Sequence, residues 1–116
     1  MLTREHISYD VAAPVIVLFG CNPFRREEVI NHLKQIGDIT IYGTLSEEEG
    51  MEKITSLPKV DIVLIGGRYS DEQRIRIRKF VAEHLPNTKI SEPGVKYPYE
   101  KEAINNDIHL KLNLRV

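Results

Sequence analysis

The 116-residue sequence has little of several features that would point to a function. It contains one cysteine, Cys21, so it can form no disulfide within the chain and no zinc cluster of the multi-cysteine kind. Its apolar runs are short, the longest being Val15 to Gly20, and none approaches the roughly 20 residues that a transmembrane helix needs. The stretch from Met1 to His6 is charged and lacks the apolar core of a signal peptide. We therefore expect a cytoplasmic protein.

An excess of charge of either sign is also missing. The chain has 16 Lys and Arg against 17 Asp and Glu, which gives a formal net charge of −1. Because bulk electrostatics then favour neither nucleic acid nor an anionic membrane, we expect neither as a partner. No two histidines have the spacing of a metal-ligand pair, and no loop carries a glycine-rich nucleotide fingerprint. We expect no metal and no cofactor.

What the sequence does contain is a regular succession of buried strands and amphipathic helices. Short apolar runs predict strands at 15–20, 38–42, 60–66 and 88–91. Asn22-Pro23 predicts the start of a first helix, since Asn is a good N-cap and Pro fits the first helical position. Ser46 with Glu49, and Ser70 with Gln73, have the spacing of capping boxes and predict the starts of two more helices.

This order of elements predicts a single α/β domain over residues 1–116. Short connections between alternating strands and helices favour a mainly parallel sheet with helices on both faces, a small three-layer sandwich of four or five strands in the order 2-1-3-4. Residues 4–11 permit a further short, half-buried strand. Residues 108–116 alternate apolar and polar side chains, which predicts an antiparallel C-terminal strand at an edge of the sheet.

A ligand of such a sheet binds at the carboxyl ends of the strands, where the winding reverses. Here residues 20–22 and 66–68 would face each other. A helix N-terminus attracts anions, and arginines in the first turn sit badly with the helix dipole unless an anion joins them. The residues that we expect to form an anion site are Cys21, Asn22, Arg25, Gly66, Gly67 and Arg68.

Interpretations that need no ligand also stay open for the arginines and for Cys21. Arg25 and Arg26 would lie on the solvated side of the helix, offset by Glu28 or another nearby acid. Cys21 precedes a helix start, a place that lowers the pKa of a thiol and suits a nucleophile, but a cysteine at a strand end is also common as inert packing. No residue is assigned a catalytic role.

A partner surface is predicted at the C-terminal strand. Its unpaired edge would invite another strand, either residues 4–11 of the same chain or a second subunit. We expect a homodimer formed through this strand. On the third helix, Ile75 is expected to be exposed among charged residues.

Four stretches carry a resemblance to a known family: Val-Ile-Val-Leu-Phe from residue 15, Asn-Pro-Phe-Arg from residue 22, Gly-Asp-Ile from residue 37 and Val-Asp-Ile-Val-Leu-Ile from residue 60. At this spacing they resemble the receiver domain of two-component response regulators, which implies a flavodoxin-like, Rossmann-like fold. Receivers bind magnesium with an acidic pair after the first strand and accept phosphate on an aspartate after the third. This sequence has Gly20 and Cys21 at the first place, and Gly66 or Gly67 at the second.

The resemblance therefore implies a small receiver-like domain that works by binding or interaction, without aspartyl phosphorylation. The alternative is an enzyme or carrier that acts on a phosphorylated or otherwise anionic small molecule in the crevice between residues 20–26 and 66–68. The sequence favours binding over catalysis, because it contains no recognisable catalytic group.

Overall fold

The computed structural model describes residues 4–10, 12–20, 23–35, 37–66 and 69–92. Within these ranges the elements are β1 (Arg4–His6), β2 (Val15–Phe19), α1 (Pro23–Leu33), β3 (Thr40–Thr44), α2 (Glu47–Ser56), β4 (Ile62–Ile65), α3 (Asp71–His84) and β5 (Lys89–Ser91). None of the helices in this part of the chain is long and apolar enough to cross a membrane.

The strands form one five-stranded sheet in the order β1-β3-β2-β4-β5. The neighbours β3 and β2, β2 and β4, and β4 and β5 are parallel. This arrangement confirms the predicted order of the four parallel strands, with β2 as the first in sequence. The antiparallel edge strand is β1, which pairs with β3. The predicted C-terminal strand at 108–116 lies outside the described residues.

Alternation along β2 divides the core into two layers. Ile16 and Leu18 face α1 and share a cluster with its Val29 and Leu33. Phe19, on the opposite face with Val17, packs under α2 and α3. Both layers are closed to solvent, so β2 is buried on both faces, as its continuous apolar run predicts.

The starts of α2 and α3 follow the predicted capping, whereas Asn22, the predicted N-cap of α1, lies outside the described residues. The Ser46 hydroxyl accepts from the Glu49 backbone N–H at the start of α2. At the start of α3 the capping box is complete: Ser70 Oγ accepts from the Gln73 N–H at 3.2 Å, and Gln73 Oε1 accepts from the Ser70 N–H at 2.9 Å. Residues 74–77 alternate polar and apolar side chains as a strand does, but the capping box and the apolar spacing of residues 77–85 favour the helix that the structure shows.

A salt bridge joins the two helices on this face. Arg76 donates from Nε and Nη2 to the two carboxylate oxygens of Glu47 at 2.7 and 2.8 Å. This hydrogen-bonded guanidinium holds the pKa of Glu47 below its usual 4.5. The pair therefore links the start of α2 to the second turn of α3.

The β1 edge is held by three side chains. Glu5 lies opposite Tyr42 across the antiparallel pair. Lys53 from α2 places Nζ 3.5 Å from Glu5 Oε1 and 4.8 Å from the centre of the Tyr42 ring. Burial and then the nearby charge of Glu5 raise the pKa of Tyr42. These contacts fix β1 to β3 and to α2.

The last turn of α3 differs from what its spacing predicts. The apolar period of Ile77 and Val81 places His84 on the core face, but His84 is exposed. Its ring stacks on Phe80 with the centroids 4.1 Å apart, and Nδ1 lies 3.0 Å from the Phe80 carbonyl oxygen. The last turn of α3 is therefore stabilised by contacts within the helix, between His84 and Phe80.

Candidate functional site

The carboxyl ends of β2 and β4 meet at one edge of the sheet. The Gly66 N–H donates to the Phe19 carbonyl at 2.8 Å, and the Gly20 N–H donates to the Thr44 carbonyl at 3.1 Å. Thr44, fully buried at the end of β3, also donates its hydroxyl to the Leu18 carbonyl at 2.7 Å. The first residue after each strand is therefore fixed to the neighbouring strand by its backbone.

Most residues of the predicted anion site lie outside the part of the chain that the structure describes. Cys21, Asn22, Gly67 and Arg68 lie outside the described residues, and for Arg25 the description is limited to its backbone in the first turn of α1. Of the six residues, Gly66 is the one whose surroundings are defined, and it lies beside Gly20. The anion site itself stays a prediction.

Gly66 is held so close to β2 that a side chain would meet the main chain. A Cβ atom at this position would lie 3.0 Å from the Phe19 carbonyl oxygen. At Gly20 it would lie 3.2 Å from the Thr44 carbonyl oxygen. Because these obstacles are backbone atoms of neighbouring strands, a larger residue would require the strands to shift by a few tenths of an ångström.

Tyr69 bridges the ends of β2 and β4. Its hydroxyl donates to the Gly20 carbonyl at 2.8 Å, and its ring packs edge-on against Phe19 with centroids 6.4 Å apart. The residue is 6% exposed. A buried aromatic ring with a bonded hydroxyl therefore lies at the edge where the crevice was predicted.

Arg74 lies behind Tyr69 on the inner side of α3 and is 3% exposed. Nε donates to the Tyr69 carbonyl at 3.2 Å, and Nη2 donates to the Gly66 carbonyl at 2.7 Å. Nη1 donates to Glu92 Oε1 at 2.9 Å. The buried cation thus has an acceptor at each of its three donor nitrogens, as burial of a charge requires.

Glu92 follows β5 directly and is shared by two arginines. Besides the bond from Arg74, it accepts from Arg78 Nη2 at Oε1 and from Arg78 Nε at Oε2, both at 2.8 Å. The Glu92 side chain is 18% exposed, whereas that of Arg78 is 48% exposed. The carboxylate therefore connects a buried arginine to a solvated one.

Arg26 corrects one of the interpretations that need no ligand. It is 7% exposed, so it does not lie on the solvated side of α1. Its Cγ and Cδ atoms lie over β3, each 3.0 Å from where a Cβ of Gly43 would stand. The absence of a side chain at Gly43 gives the arginine stem room to lie against the strand.

Tyr69, Arg74 and Glu92 were not identified from the sequence. The helical spacing held one signal: Arg74 precedes Ile77 by three residues and Val81 by seven, which puts it on the same inner face. An arginine on a buried face needs a carboxylate partner. Nothing local, however, indicates that the partner comes from the end of β5, 18 residues away.

The geometry of this edge can be compared with known proteins. No family model and no curated protein matches the sequence. A solved structure does match the fold: the crystal structure of a response regulator from Thermotoga maritima, with a TM-score of 0.72 and 15% sequence identity, over 88% of this chain and 99% of that one. The chain therefore has a receiver-like α/β fold, as the sequence resemblance predicted. At this identity the likeness is one of fold.

Proposed function

We propose that this chain is a binding or interaction domain with a receiver-like fold, and that it does not accept phosphate on an aspartate. The observation that carries the proposal is Gly66. The resemblance puts an acceptor aspartate at Gly66 or Gly67, directly after β4, and the backbone of Gly66 is bonded to Phe19. A Cβ there would approach the Phe19 carbonyl to 3.0 Å, so this backbone position suits glycine.

The residues after β2 support the same proposal. A phosphoacceptor carboxylate works with a magnesium ion that neutralises the developing charge on the phosphoryl group. Gly20 and Cys21 occupy the place where a receiver carries its acidic pair. Glycine has no side chain and cysteine offers sulfur, so neither residue supplies the side-chain oxygen ligand that magnesium prefers.

The neighbouring hydrogen bonds support a preformed surface. Gly66 and Tyr69 are held by Arg74, and Tyr69 in turn holds Gly20. While these buried bonds are formed the surface has one arrangement, which suits recognition of a partner without phosphorylation.

Incubation with acetyl phosphate and magnesium, followed by intact-protein mass spectrometry, tests this proposal. We expect no gain of a phosphoryl group, while a phosphate-accepting receiver in the same tube gains one. A gain that hydroxylamine removes, which is the behaviour of an acyl phosphate, would overturn the proposal.

The alternative function is that of an enzyme or carrier for an anionic small molecule, bound in the crevice between residues 20–26 and 66–68. It makes a separate prediction. A carrier or enzyme that uses Cys21 would have an accessible thiol of low pKa. Iodoacetamide would then alkylate the folded protein rapidly near neutral pH, and inorganic phosphate would slow the reaction. Resistance of Cys21 to alkylation in the folded state would remove this alternative.

The homodimer formed through the C-terminal strand also stays a prediction. Sedimentation velocity over a range of concentrations measures it directly. A dimer that dissociates when residues 108–116 are deleted is the expected result, and a monomer at every concentration would contradict it.

A further inference from the structure

Arg74 connects the segment between β4 and α3 to the end of β5. From α3 its guanidinium reaches the Gly66 carbonyl after β4, the Tyr69 carbonyl before the helix, and the Glu92 carboxylate after β5. With the Tyr69 hydroxyl on the Gly20 carbonyl, the bonds form a continuous path from the end of β5 to the end of β2.

The path depends on Glu92 for an electrostatic reason. Arg74 is 3% exposed, and Glu92 supplies the negative charge that its salt bridge requires. The Gly66 and Tyr69 carbonyls supply dipoles but no net charge. Without the carboxylate, the guanidinium would be an uncompensated buried charge, and it would gain free energy by moving toward water.

Movement of Arg74 toward water would break its hydrogen bonds to the backbone between β4 and α3. The Gly66 and Tyr69 carbonyls would each lose a charge-assisted hydrogen bond, which is among the stronger kinds. Tyr69 would then be less firmly placed, and its bond to the Gly20 carbonyl would weaken with it. Arg78 does not share this role, because it contacts Glu92 from the exposed side.

We propose that Arg74 and Glu92 form a latch that couples the end of β5 to the carboxyl ends of β2 and β4. When Glu92 is engaged, Gly66, Tyr69 and Gly20 are held in the arrangement described above. An interaction that draws the Glu92 carboxylate away, such as a cationic group of a binding partner, opens this edge of the sheet. Arg74 is a positioning residue in this device. The latch does not depend on whether the chain accepts phosphate.

Amide hydrogen exchange measured by NMR tests the latch at single residues. The reporters are the N–H groups of Gly20, Gly66 and Tyr69, each bonded within this edge. In Glu92→Ala we expect their exchange to accelerate by about tenfold or more beyond any change in the middle of β2 and β4, because local opening is separate from global unfolding. In the matched control Arg78→Ala, which leaves the buried salt bridge intact, we expect little selective change.

A double substitution separates the latch from general destabilisation. In an Arg74→Met background the buried charge is absent, so Glu92→Ala should produce no further acceleration at the three reporters. The same acceleration in both backgrounds would overturn the latch. So would equal effects of Glu92→Ala and Arg78→Ala, or a uniform rise at every amide. If Arg74→Met does not fold, the comparison of the two single variants still decides the question.

Discussion

Helix α2 contacts the sheet through Gly50, which lies against the ring of Phe19. The substitution Gly50→Ala tests how firmly that ring is fixed. A Cβ on Gly50 would lie 2.3 Å from Phe19 Cε2 and 2.6 Å from both Cδ2 and Cζ. Phe19 has no exposed surface and packs edge-on against Tyr69. The ring therefore cannot move aside without displacing the residue that bridges β2 and β4.

Two opposing effects set the size of the change. Alanine is a better helix former than glycine by about 1 kcal/mol, which favours the variant. Overpacking a filled core costs about 1–3 kcal/mol, and the deep overlap here points to the upper end of that range. We expect a net loss of about 2 kcal/mol in the free energy of unfolding, which for a domain of this size lowers Tm by roughly 8 °C.

Urea denaturation followed by circular dichroism measures this loss. The variants Glu52→Ala and Glu52→Gly, at an exposed position of the same helix, give the local difference in helix propensity as a matched control. The double variant Gly50→Ala with Phe19→Leu should lose less stability than the sum of the two single losses, because the two changes share one contact. A Gly50→Ala protein that is more stable than the wild type by the propensity difference would refute this description of the core.

Two further predictions concern polar contacts outside the core. Because Arg76 lowers the pKa of Glu47, the pair stabilises the fold above pH 4.5 and loses its effect as the pH falls through the lowered pKa. The wild type should thus be more stable than Glu47→Gln at neutral pH, and this difference should become smaller in acid and at high salt. A difference that does not change with pH would contradict the prediction. Asp61 Oδ2 accepts from the Val15 N–H at 2.7 Å at the start of β2. Asp61→Ala should cost about 1 kcal/mol in urea denaturation, and Asp61→Asn, which keeps an acceptor oxygen, should cost less; equal losses would argue against this bond.

The arrangement of the sheet could be predicted because its signals are local. The buried runs at β2 and β4, and the serine caps before α2 and α3, each determine one element from a few neighbouring residues. Handedness and short connections then leave few ways to order the parallel strands. Strand β1 was harder, because a three-residue edge strand carries almost no pattern and its pairing with β3 depends on tertiary contacts.

The contacts at the carboxyl edge could not be predicted in the same way. Arg74 has the spacing of a buried position, but its partners come from two segments: Gly66 and Tyr69 lie between β4 and α3, and Glu92 follows β5. The sequence predicts Gly66 as one residue of the anion site. Its backbone lies against the Phe19 carbonyl of the central strand, a contact that the sequence does not reveal.

We expect that the carboxyl ends of β2 and β4 do not respond to a phosphoryl group. NMR spectra of the uniformly ¹⁵N-labelled protein, titrated with magnesium and beryllofluoride, measure this response, because beryllofluoride is an analogue of a carboxyl-bound phosphoryl group; magnesium alone is the control. We expect no saturable shift of the Gly20, Gly66 and Tyr69 amide resonances. A saturable shift at these three amides that requires both magnesium and beryllofluoride would contradict it.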